Sequence, residues 1–141
     1  MEAATKTMIT VETSVHASTE KAWGFWTKPE HIVNWNNASP DWHTPEAKND
    51  LRVGGKFSFI MAAKDGSLQF DFNGVYDVVK PFEYIEYTIA DGRKVKITFS
   101  GHGNETKIVE TFEAENENPV EMQKMGWQAI LNSFKAYVEG F

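Results

Sequence analysis

The sequence predicts an α+β fold: a curved antiparallel sheet of about six or seven strands wrapped around a long C-terminal helix, with two short helices after the first strand. Three observations predict it. Strand-like alternation dominates from about Glu46 to Ala114. Its segments are joined by tight turns such as Asp65-Gly66 and Asp91-Gly92, which make antiparallel hairpins rather than crossovers. From Trp127 to Phe141 the apolar residues recur at helical spacings of three and four. Only that helix is long enough to cover the apolar face of such a sheet.

Each element follows in order. Met8 to Val15 alternates, with Ile9, Val11, Thr13 and Val15 on one face. Ser18 can cap the short helix Thr19 to Trp26, whose apolar stripe is Ala22, Trp23 and Trp26. Pro29 suits the first turn of a second short helix carrying Ile32, Val33 and Trp35. Asn36 to Thr44, with Ser-Pro-Asp and Thr-Pro, reads as a loop that contains Trp42. Lys56 to Ala63 is a strand after the Gly54-Gly55 turn, with Phe57, Phe59 and Met61 on one face. Gln69 to Val79 follows, with Phe70, Phe72, Gly74, Tyr76 and Val78 together, until Pro81 ends the ladder. Tyr84 to Ile89, Arg93 to Ser100 and Thr106 to Ala114 complete the sheet. Asn118, Pro119 and Glu121 supply the cap, first-turn proline and capping-box acid of the last helix. Gly126 inside it points to a close backbone approach or to space for something bound.

Composition excludes several function classes. A chain of 141 residues is expected to form one domain, 1–141, able to fold without disulfides or metal. Having no Cys, it has no thiol chemistry and no Cys-ligated zinc. A net charge of −6 with scattered basic residues argues against nucleic acid. No apolar stretch approaches the ~20 residues of a membrane span. Met1 to Thr10 lacks the basic start and apolar core of a secretory signal, so a cytoplasmic location is expected.

Three stretches carry a family resemblance. They are Val15-His16-Ala17-Ser18-Thr19-Glu20-Lys21-Ala22-Trp23 with Pro29-Glu30 and Trp35; Asp50 to Met61 with Asp65-Gly66, Gly74-Val75-Tyr76 and Pro81; and Gly126-Trp127. In this order the chain resembles the START-like superfamily, whose architecture is the helix-grip fold. More narrowly, it is similar to the family of activator of heat-shock-protein-90 ATPase homologues. The resemblance implies a cavity between sheet and long helix, often suited to an apolar ligand. It also raises a chaperone as a partner, and, from the wider superfamily, cyclase- or dehydratase-like chemistry.

The residues themselves offer little catalytic chemistry. None of His16, His31, His43 and His102 has the spacing of a helical metal pair, and Asp41-Trp42-His43 is the only tight acid–His grouping; no metal or cofactor is expected. Gly54-Gly55-Lys56 lacks the upstream Gly and following Ser/Thr of a phosphate loop and leads into a strand. No nucleophile elbow appears. Strict alternation puts Glu110 inward with Ile108 and Phe112; a bulge would turn it outward, and the mixed faces of this strand favour the bulge.

The aromatic residues are the main candidate. Trp35, Phe57, Phe59, Phe70, Phe72, Tyr76, Tyr87, Phe99, Trp127 and Phe134, with Met61, Met122, Ile130 and Glu110, either fill the space under the helix or line a cavity there. Only three Leu are present, and rings and Met in their place favour an adaptable pocket. The expectation is a binding domain for an apolar or amphipathic small molecule, rather than an enzyme.

Overall fold

The computed structural model describes residues 7–140. Seven strands form one sheet: β1 (Met8–Val15), β2 (Trp42–Asn49), β3 (Lys56–Ala63), β4 (Gln69–Lys80), β5 (Tyr84–Ile89), β6 (Lys94–His102) and β7 (Glu105–Glu113). Their order is β1-β7-β6-β5-β4-β3-β2, antiparallel throughout. Helices α1 (Thr19–Thr27) and α2 (Pro29–Trp35) carry the chain from one sheet edge to the other. The long helix α3 (Val120–Glu139) lies against the inner face. This is the helix-grip architecture, with the core of Val11, Ile97, Ile108, Phe112, Leu131 and Phe134 between sheet and helix.

Local chemistry accounts for most boundaries. The Ser18 hydroxyl accepts the Lys21 N–H at 3.3 Å and caps α1. Gly54 has a φ of +82°, where a side chain would be strained. A Cβ on Gly55 would run into the Asp50 carbonyl. The Gly54-Gly55 segment then bonds to Tyr76 through both its backbone N–H and C=O, at 2.9 and 3.0 Å. These glycines are therefore turn residues that start β3 in register with β4.

Four sequence expectations are corrected. β2 begins at Trp42 inside the expected loop. It is an edge strand, so Pro45 needs no outer partner, and the register shift between His43 and Glu46 absorbs it. In β4 a bulge at Asp77 breaks the alternation, so Val79 opposes Ile85 and joins the core in place of Val78. Asn118 does not cap α3; Pro119 occupies the cap position, with no side-chain cap. Instead Gln123 reaches back, accepting the Glu115 N–H at 2.9 Å and donating to the Asn118 carbonyl at 2.8 Å. Finally, of the two readings of Gly126 the close backbone approach fails, since a Cβ there would find nothing within 4 Å, while open space remains.

The helix is held on two sides. Leu131, Phe134 and Val138 are buried in the core. A polar stripe, Gln128, Lys135 and Glu139, bonds the outer backbone edge of β1. Gln128 brackets Glu12, accepting its N–H at 3.4 Å and donating to its carbonyl at 3.1 Å. Lys135 donates to the Ser14 carbonyl at 2.6 Å, and Glu139 accepts the His16 N–H at 2.9 Å. Side chains thereby satisfy an edge that would otherwise offer itself to another strand. Among the described residues no helix is long and apolar enough to cross a membrane.

The open space at Gly126 gives a direct check. Gly126→Ala should stabilise the protein by about 0.5–1 kcal/mol through helix propensity. Urea denaturation measures this, and a loss of stability would show that the position needs its glycine.

Candidate functional site

A hollow of about 240 Å³ lies between α3 and the middle of the sheet. Its floor is built by strand alternation: Phe57, Phe59 and Met61 from β3, Phe70, Phe72 and Tyr76 from β4, Ile85 and Tyr87 from β5, and Glu110 from β7. Trp127 and Ile130 of α3 roof it. Trp26, Trp35 and Asn36 contribute from α1, α2 and the residue after α2. Arg93 enters from the β5–β6 turn.

The walls are rings held by other rings. Phe57 meets Tyr87 edge-on at 4.8 Å and Tyr76 at 5.3 Å. Its seat depends on Gly74, where a Cβ would strike the Phe57 ring and the Thr88 carbonyl. Trp127 stacks on Phe112 at 3.8 Å and meets Phe72 edge-on at 6.1 Å. Trp26 and Trp35 both pack against Phe134 at 4.9 Å, and the Trp35 indole donates to the Phe25 carbonyl at 2.9 Å. Such edge-to-face pairs fix ring positions beyond what burial alone does.

Polar groups in the lining have different commitments. The Tyr76 hydroxyl donates to the Asn49 side-chain oxygen, and Asn49 donates to the Thr27 carbonyl at 2.7 Å. The Arg93 Nε donates to Asp91 at 2.8 Å, and one of its terminal nitrogens donates to the Glu113 carbonyl at 3.2 Å. Burial raises the ionisation of Tyr76 and Tyr87 well above that of an ordinary phenol, so both stay neutral.

Glu110 faces inward, and the outward bulge expected from its strand does not form. Pairing on both sides of β7 runs without a register shift, with Val11 opposite on β1 and Ile97 on β6. Glu110 is 6% exposed, and burial pushes its carboxyl up to about 8.

The structure brings together Trp35, Phe57, Phe59, Met61, Phe70, Phe72, Tyr76, Tyr87, Glu110, Trp127 and Ile130 from the candidate set. It places three candidates elsewhere. Phe99 is buried under α1, edge-on to Trp23 at 5.2 Å. Phe134 is sealed in the core between Trp26 and Trp35. Met122 is exposed, because the helix phase that buries Leu131 and Val138 turns Gln123 inward instead. Sequence reasoning missed Trp26, Asn36, Ile85 and Arg93. Ile85 shares a strand face with Tyr87 and Trp26 lies on the stripe of α1, so both carried a signal. Arg93 follows a hairpin turn, where a cation ordinarily points to water. Asp41, Trp42 and His43 stay outside the hollow, with Trp42 leaning on Phe70 at 5.9 Å. Among the described residues no group of three or more His, Cys, Asp or Glu is placed to hold a metal.

Comparison with known proteins accords with the fold. The family described as Activator of Hsp90 ATPase homolog 1-like protein matches residues 16–139. The chain belongs to this family. Among solved structures, the chain is similar to the AHSA1-like protein from Aeromonas hydrophila, at 41% identity and a TM-score of 0.89, over 95% of this chain and 93% of that one. It is also similar to Chr148 from Cytophaga hutchinsonii, at 59% identity and a TM-score of 0.81, over 94% and 92%. Protein NE0264 from Nitrosomonas europaea, at 16% identity, a TM-score of 0.80 and 94% of both chains, shares the fold. No curated protein matches the chain.

The buried carboxyl ties stability to pH. The folded protein holds the Glu110 proton more tightly than the unfolded chain, whose carboxyl titrates near 4.5. Its share of stability is therefore complete below that value and is lost as pH rises through about 8. Glu110→Gln should flatten this decline, leaving the variant more stable than the parent at alkaline pH by an amount on the order of a few kcal/mol. Denaturation at a series of pH values checks it; parallel curves for the two proteins would place the carboxyl in water.

Proposed function

We propose that this chain is a ligand-binding domain and that the hollow under α3 takes an apolar or amphipathic small molecule. The observation that carries this reading is the lining: aromatic and aliphatic walls around a single buried, uncompensated carboxyl, in a space large enough for a small ring system. Close-packed cores leave few voids larger than a water molecule, and those lined by apolar groups accept apolar guests.

A panel of fatty acids, sterols, flavonoids and polyketides tests it, read by melting temperature and by Trp127 fluorescence. A member present at a hundredfold excess over its Kd should stabilise the fold by about 2.7 kcal/mol, a rise of several degrees. Ile130→Trp, which fills the roof, should keep the fold and abolish that rise. A panel that leaves both signals unchanged would remove the proposal.

The family description raises contact with a chaperone as a second reading, and the exposed Met122 and Met125 on the outer side of α3 are the apolar surface that favours it. Capture of the chaperone by the parent and by Ile130→Trp alike would support a surface contact independent of the hollow. Failure of both to capture it would remove this reading.

A further inference from the structure

Two polar heads in the hollow have nothing in the protein to bond. Glu110 and Tyr87 are 6% and 7% exposed, and neither side chain makes a hydrogen bond to another described residue. Among the described residues no side-chain nitrogen or oxygen is sealed off without a partner, so the Glu110 carboxyl and the Tyr87 hydroxyl open onto the hollow they line. The two are near enough for the carboxyl to act electrostatically on the phenol.

Their neighbours explain the lack of partners. Glu110 is flanked across the sheet by Val11 and Ile97, and Tyr87 by Val95 on one side. On the other side of Tyr87 stands Tyr76, whose hydroxyl is committed to Asn49. From above, α3 brings only Trp127 and Ile130, and from the end of α2 come Trp35 and Asn36, none of them charged. Arg93 is the other charged group in the lining, and its guanidinium is engaged by Asp91 and the Glu113 carbonyl.

We propose that the ligand of this hollow presents a hydrogen-bond-accepting oxygen, a ketone or another neutral carbonyl on an apolar ring-sized body, to the Glu110 carboxyl and the Tyr87 hydroxyl together. The inference rests on reading the hollow as a ligand site and names the chemistry of its ligand. With no cation paired to it, the Glu110 carboxyl keeps its proton at neutral pH and donates an O–H. Tyr87 can donate a second, and both open onto the hollow, where no described residue accepts from them. A hydrocarbon guest leaves both donors unmet, which buried polar groups tolerate poorly. An ammonium guest needs Glu110 ionised and meets the Arg93 charge in the same lining.

The test uses the whole chain and three probes of nearly one shape: methyl naphthyl ketone, isopropenylnaphthalene and naphthylethylamine. Calorimetry gives affinities, and chemical-shift mapping on Trp127 and Ile130 locates the guest. The ketone should bind at least about tenfold more tightly than the alkene, as one or two recovered hydrogen bonds provide. Its advantage should shrink as pH rises through about 8, since an ionised Glu110 only accepts. Tyr87→Phe should reduce the ketone's affinity several-fold and leave the alkene's unchanged. Equal binding of ketone and alkene overturns the inference and leaves the hollow as a ligand site. Preference for the amine, growing with pH, overturns it in favour of a cation site. Binding by none of the three overturns the inference and counts against the ligand-site reading as well.

Discussion

The side chains of Gln128, Lys135 and Glu139 bond the free backbone edge of β1, and the rest of the architecture depends on that seam. A sheet covered by one helix has two problems: an exposed strand edge, and a helix that could slide along the sheet's curved face. One stripe of polar residues answers both. Seven and four residues apart, these side chains share one face of α3, and the backbone groups they meet, at Glu12, Ser14 and His16, lie two residues apart. Lys135 also bonds Glu139 at 2.9 Å, so the seam is continuous along the last turns. That contact and the His16 N–H hold the Glu139 carboxyl below the usual carboxylate range.

Fixed this way, the helix is packed less deeply in its first half than in its second. Leu131, Phe134 and Val138 are fully packed, whereas Trp127 and Ile130 are only half-buried. Trp127 is steadied by stacking on Phe112 rather than by being enclosed. Below it the sheet carries rings where a tightly filled domain would carry interlocking aliphatics. Those rings brace one another through Phe57, so the floor keeps its shape without support from above. The hollow is thus a consequence of where the helix is tied. Its one uncompensated carboxyl, Glu110, costs stability that a solid core would not spend, and such costs commonly mark function.

The sheet was legible in the sequence because its hairpins announce themselves at Asp65-Gly66 and Asp91-Gly92, and because alternation survives in β5, β6 and β7. It was least legible where a local signal had a tertiary answer. Pro45 reads as a loop until β2 proves to be an edge strand, and the bulge at Asp77 is a register shift against β5, which no alternation rule contains. Glu110 obeys its strand's period; what misled was the apolar character of Val109 on the other face. The floor of the hollow could be read from β3 and β4. Its depth could not, because Met122 and Gln123 both fit the start of an amphipathic helix and only packing selects Gln123. Arg93 was hidden for the same reason, since its inward turn depends on Asp91 and Glu113. The seam on β1 had no sequence signal at all: Gln, Lys and Glu on a helix ordinarily face water.

The central claim is that an apolar space, open to a guest, separates α3 from the sheet. Diffraction from crystals held under xenon tests it most directly, because xenon enters dry apolar cavities and not filled cores or hydrated clefts. The account predicts xenon density between Trp127 and Ile130 above and Phe57 and Tyr87 below. Side chains closed over that volume, leaving no room for xenon between helix and sheet, would contradict it.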